Sequence, residues 1–174
     1  LPGLTITPLP ACEPKPGKGE FVEATVESDV ARSQADAPAW RAVGRLTKSD
    51  VDTFLFLTFD YDPPLDLSDA ECLAVDSWVP AGQKTRTDLL IIVRDVSGGE
   101  YIATTGRPMS VSGHNRALVP FSAFRLAGWS KDQDGRLDKD GITSVRVGWG
   151  GYYGKEGEAV EFSVALPAAG KLAR

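Results

Sequence analysis

Residues 54–79 read FLFLTFDYDPPLDLSDAECLAVDSWV. The apolar, aromatic-rich run Phe54 to Phe59, bounded by turn signals, predicts a strand buried on both faces. Pro63 and Pro64 predict a turn, and an Asp-rich corner follows. From Leu73 to Val79 the residues alternate. Leu73, Val75, Ser77 and Val79 share one side, and Ala74, Asp76 and Trp78 share the other. A strand with an apolar face and a second face carrying a carboxylate and an indole suits a sandwich that binds a ligand.

Further short strands surround this pair. They are expected over Glu20 to Ser28, Trp40 to Leu46, Asp88 to Asp95, Tyr101 to Thr105, Arg116 to Pro120, Ile142 to Trp149 and Ala159 to Leu166. Ser97-Gly98-Gly99 closes a hairpin, FSAF at 121–124 reads as one helical turn, and residues 129–140 (WSKDQDGRLDKD) read as a polar insertion. No segment of useful length has helical periodicity. Strands at short spacing with turn residues between them predict an all-β, antiparallel β-sandwich of the jelly-roll type. The Pro-rich stretch 1–19 is expected to be a leader or linker, 20–167 the sandwich domain, and 168–174 a tail. The first residue is Leu, which suits a mature or excised fragment.

The 174 residues carry a formal net charge of −5, with acids and bases interspersed. That excludes a nucleic-acid partner that works through a basic patch. No run approaches the ~20 apolar residues of a membrane-spanning helix, and the N-terminus has no basic-then-apolar signal pattern. Cys12 and Cys72 allow one disulfide, which would suit an exported protein, or two unlinked thiols.

Catalytic signals are sparse. The single histidine, His114, lies in SGHN, expected as a loop with a solvent-exposed turn histidine. There is no G-x-S-x-G or H-E-x-x-H pattern, and among 24 acidic residues nothing singles out a pair for glycoside hydrolysis. DQDGRLDKDG fails the EF-hand register, because with Gly135 sixth the twelfth position is Gly141. Asp132, Asp134 and Asp138 remain a minor calcium option. The four tryptophans and four tyrosines are more informative, since rings stack on the C–H faces of sugars while polar side chains meet the hydroxyls. Alternation sends Ile91, Val93, Val145, Val147, Trp149, Phe162 and Val164 inward. Outward-facing Asp76, Trp78, Arg94 and Arg146 are then expected on one sheet face, with Tyr152 and Tyr153 at its rim. The same face could instead be covered by the leader or another domain, and Trp40 and Trp149 suit core packing.

The order LDLSDAECLAVDSWVPAG (65–82), LLIIVRD (89–95), ALVPFSAFRLAGW (117–129), LDKDGITSVRVGW (137–149) and a closing apolar strand resembles the jelly-roll carbohydrate-binding modules of the galactose-binding-like type. Family 11 modules and sandwich domains attached to agarases share this order. The resemblance covers roughly Phe21 to Leu166. It implies an extracellular or periplasmic, non-catalytic domain that binds a polysaccharide or oligosaccharide beside an attached catalytic domain and requires no cofactor. A structural domain that binds no sugar, and a small jelly-roll lyase or hydrolase, are the alternatives. Relatives often hold a structural calcium through an Asp in the last strand. Here Ser163 stands near that position, and Glu23, Glu27 and Glu161 are the oxygens left to supply it.

Overall fold

The computed structural model describes residues 3–173; Leu1, Pro2 and Arg174, assigned above to the leader and tail, lie outside them. Thirteen strands follow one another: β1 (Leu4–Pro8), β2 (Lys15–Lys18), β3 (Val22–Ser28), β4 (Ala39–Leu46), β5 (Thr53–Leu65), β6 (Cys72–Val79), β7 (Asp88–Asp95), β8 (Glu100–Pro108), β9 (Gly113–Pro120), β10 (Arg125–Leu126), β11 (Ile142–Tyr152), β12 (Ala159–Ala165) and β13 (Ala168–Leu172). Short 3₁₀ turns cover Val30–Arg32 and Phe121–Ala123. All paired strands are antiparallel, and they build two sheets. The six-stranded sheet runs β10-β8-β7-β11-β5-β2. In the seven-stranded sheet β6 is flanked by β9 on one side and by β12 and β13 on the other, with β4, β3 and β1 beyond. The expected jelly-roll sandwich is what the chain forms.

Alternating residues fill the space between the sheets. Leu55, Leu57 and Phe59 of β5 face the interior with Val145, Val147 and Trp149 of β11, and Leu89, Ile91 and Val93 of β7 continue the layer. The opposing sheet supplies Leu73, Val75, Phe162 and Val164. Trp40 packs edge-on to Phe59, ring centroids 5.5 Å apart. Trp149 is fully buried, and Gly44 makes room for it: a Cβ at 44 would stand 3.0 Å from the indole.

Several expectations need correction. The run 54–59 is not buried on both faces, because Phe54 is exposed and Thr58 half-buried; its second face is a sheet exterior. Pro63 and Pro64 do not end the strand. β5 continues to Leu65, and the prolines fall where its register with β11 jumps from Asp60↔Ser144 to Leu65↔Ile142, a place with no regular ladder for a missing N–H to break. The leader and tail are not outside the sandwich. Leu4–Pro8 pairs with Ala168–Leu172, and Lys15–Lys18 pairs with β5. β2 is an edge strand, and Lys15, Pro16 and Lys18 are residues that discourage further pairing there. Cys12 and Cys72 are both free thiols; the Cys12 thiol donates to the Asp60 carbonyl at 3.3 Å.

Gly148 sits where β11 crosses β5 most tightly, and a Cβ there would overlap the Leu55 carbonyl. Gly148→Ala is expected to lower the unfolding free energy by about 3 kcal/mol, read by urea denaturation. An unchanged midpoint would contradict this apposition of β5 and β11.

Candidate functional site

The two sheets present two different exteriors. On the six-stranded sheet, pairing sets the outward residues in rows: Phe56 beside Gly148 and Leu90, Thr58 beside Arg146, Ile92 and Ile102, and Asp60 beside Ser144 and Arg94. Exteriors of antiparallel sheets are usually polar. Here Phe54, Phe56, Leu90, Ile92 and Ile102 make an apolar floor, with Gly150 and Gly151 at one end and Trp129 at the side. The resulting groove holds ≈ 470 Å³. Rows two residues apart along a strand are ~7 Å apart, so the floor and its polar extension span several ring-sized units.

Trp129 is 62% exposed yet held in place. Its indole N–H donates to Glu100 Oε2 at 3.1 Å, and Glu100 Oε1 forms an ion pair with Arg146 Nη1 at 3.0 Å. The backbone N–H of Glu100 donates to Ser130 Oγ at 2.9 Å, and its carbonyl accepts from the Ala127 N–H at 2.9 Å. The turn carrying Trp129 is therefore fastened to β8 on both sides of the ring. Arg146 also borders a second depression of ≈ 330 Å³, with Asp60, Arg94, Thr143 and Ser144 at its wall. An apolar shelf leading into groups that donate and accept hydrogen bonds suits a ligand with flat apolar faces and a polar rim.

The seven-stranded sheet carries the other expected residues. Asp76 and Trp78 lie on β6, opposite Arg116 and His114 of β9. Arg116 Nη2 donates to Asp76 Oδ2 at 2.7 Å, and Arg116 Nε reaches both carboxylate oxygens at 3.1 and 3.2 Å. His114 Nε2 lies 2.9 Å from Asp76 Oδ1, and its ring is 5.0 Å from that of Trp78. Burial pushes the Asp76 carboxyl upward, but the hydrogen bonds from Arg116 and His114 outweigh it and hold the group below its ordinary range.

The structure thus divides the expected site. Arg94 and Arg146 share the six-stranded exterior; Asp76 and Trp78 lie on the opposite exterior. Tyr152 is half-buried, edge-on to Trp149, with its hydroxyl donating to Glu158, while Tyr153 is 63% exposed just past the glycine end of the groove. His114 is not in a loop, since β9 begins at Gly113. Trp129, Phe54 and Glu100 were missed as a set. The signal for Trp129 was its setting: an indole between Gly128 and the polar SKDQD has no apolar neighbours to bury it.

The carboxylates weighed for calcium do not converge. Asp132 accepts from the Tyr101 hydroxyl at 2.5 Å, Asp134 from the Arg136 N–H at 2.9 Å, and Asp138 from Ser97 Oγ at 2.8 Å. Glu27 and Glu161 both pair with Arg41. Among the described residues no three His, Cys, Asp or Glu are placed to hold one ion.

No family model and no curated protein matches the chain. Solved structures do. The family 11 carbohydrate-binding module from Clostridium thermocellum, in complex with a β-1,3-1,4-mixed-linked tetrasaccharide, aligns with TM-score 0.71 over 97% of this chain and 98% of that one, at 14% identity. The fold is that of a carbohydrate-binding module. The family 30 module of a cellulosomal cellulase from Clostridium thermocellum aligns at TM-score 0.53, over 92% of each chain at 16% identity. An agarase aligns at TM-score 0.53 and 13% identity, over 90% of this chain but 23% of the enzyme. The resemblance read from the sequence holds at the level of fold.

Because the folded pKa of Asp76 is depressed, its stabilising contribution is complete above the ordinary carboxyl range and fades as pH falls through the folded value. The stability gap between wild type and Asp76→Asn is expected to be widest near neutrality and to close in acid. Urea unfolding across that range checks it, and a gap that does not change with pH would refute the assignment.

Proposed function

We propose that this chain is a non-catalytic carbohydrate-binding domain, and that it holds a polysaccharide along the outer groove of its six-stranded sheet. The observation that carries this reading is the exposed Trp129, locked by Glu100 and Arg146 beside the floor of Phe54, Phe56, Ile92 and Ile102. A ring held rigid before binding loses little conformational freedom on contact, which favours weak but specific capture. Sugar rings would rest on Trp129 and the floor, their hydroxyls meeting Arg146, Arg94, Asp60 and Ser144, with Tyr153 touching the chain as it leaves the glycine end. One oxygen of Glu100 accepts from Trp129 and the other faces the Arg146 guanidinium at 3.0 Å, which fits a positioning role better than acid–base chemistry.

The setting we propose is extracellular or periplasmic, where polysaccharide is found, in a protein that also carries a polysaccharide-acting enzyme. The likeness to a 23% portion of an agarase supports that arrangement. It also supports a second reading, in which the same apolar stripe packs on a catalytic domain and no sugar enters it.

Affinity electrophoresis against agarose, mixed-linked β-glucan and a soluble galactan separates the two. Retardation by at least one neutral polysaccharide is expected. Trp129→Ala should weaken it by about thirtyfold, because removing a stacked ring costs ~2 kcal/mol, and Arg146→Gln should weaken it less. Trp78→Ala, on the far side, should leave it unchanged. A folded chain that no polysaccharide retards would favour the packing surface.

A further inference from the structure

We infer that the opposite exterior carries a second binding site, at Trp78, for an acidic sugar: a pyranose bearing a carboxylate or a sulfate ester. It stands on an observation separate from the groove. A depression of ≈ 370 Å³ is walled by Trp78, Arg32, Gln34, His114 and Arg116, with Asp76 at its base. That is within the ~300–1,000 Å³ range of small-ligand sites. Its charges are layered. The two carboxylates lie beneath: Asp29 is 8% exposed and the Asp76 side chain 21%. Asp29 accepts from Ser163 Oγ at 2.6 Å and from Arg32 Nη1 at 2.9 Å, and Asp76 is gripped by Arg116 and His114. The two guanidinium groups and an imidazole lie above, with Arg32, His114 and Arg116 side chains 44%, 51% and 52% exposed.

The acids are therefore satisfied from above, and the side presented to solvent is basic. Arg32 keeps Nε and Nη2, and Arg116 keeps Nη1, without a protein acceptor among the described residues. Guanidinium groups of this kind bind oxyanions through paired, charge-assisted hydrogen bonds. Trp78 adds the second half of the recognition. It is half-buried, its ring borders the depression, and the Arg32 guanidinium carbon stands 6.0 Å from its centroid. The part of the indole left uncovered by Arg32 and His114 offers a pyranose an apolar edge, and the Gln34 amide a partner for a hydroxyl. The groove on the other sheet differs in kind: its floor is apolar and its Arg146 is paired with Glu100.

The test uses the full ¹⁵N-labelled chain, with the Trp78 and Trp129 indole N–H signals assigned from Trp78→Phe and Trp129→Phe. Three probes are titrated: tri-galacturonate, its fully methyl-esterified form, and a sulfated galactan trisaccharide. We expect the Trp78 signal to shift with tri-galacturonate or the sulfated sugar, and whichever acts identifies the oxyanion. The methyl ester, with the same ring and no charge, should bind about tenfold more weakly. Arg32→Gln alters an exposed turn and should weaken the acidic sugar severalfold with the fold intact, while Trp129→Ala should leave the Trp78 response unchanged. The inference is overturned if neither acidic sugar moves Trp78, if the ester binds equally well, or if Arg32→Gln has no effect. A responding Trp78 in a chain that no neutral polysaccharide retards would sink the groove reading and leave this one standing.

Discussion

Everything on the six-stranded exterior depends on one constraint, the period of two shared by β5 and β11. Leu55, Leu57 and Phe59 must be buried with Val145, Val147 and Trp149, because they form the middle of the core. Burying them fixes which residues emerge on the other side: Phe54, Phe56 and Thr58 from one strand, Arg146, Gly148 and Gly150 from the other. A slip of one residue would turn the groove floor into the core and push the core into water. Gly148 lets the two strands approach closely, so the same glycine that seats the ladder also leaves the floor low beside Phe56.

The inside-outside pattern was legible in the sequence because alternation is local. Leu73, Val75, Ile91, Val93, Val145, Val147, Phe162 and Val164 all point where their spacing sends them. What alternation cannot say is which of two outsides a residue joins. Asp76 and Arg94 have the same local signature, and only the non-local pairing of β6 with β9, β12 and β13, against β7 with β8 and β11, separates them. The same limit explains the N-terminal stretch. LTITP was read with the prolines around it, but its fate is set by a partner 160 or more positions away. Trp129 belongs to this class as well: its anchor, Glu100, lies in another strand, and no spacing rule links them.

The two exteriors also differ in how their polar groups are used. On one, a single ion pair orients an exposed ring, and the rest of the floor is apolar. On the other, two carboxylates are overlaid by three basic groups around a partly covered indole. A sandwich permits this because its core is closed by the inward residues alone, which leaves each outward set free to take its own chemistry.

The pairing of β1 with β13 has a mechanical consequence. Leu4 faces Leu172 and Pro8 faces Ala168, so the first and last strands run antiparallel with their outer ends side by side. Tension applied through those ends would peel the pair apart like a zip, loading its hydrogen bonds one after another instead of all at once. Under a steady pull, these outermost strands would part before the central ladders of either sheet felt the full force.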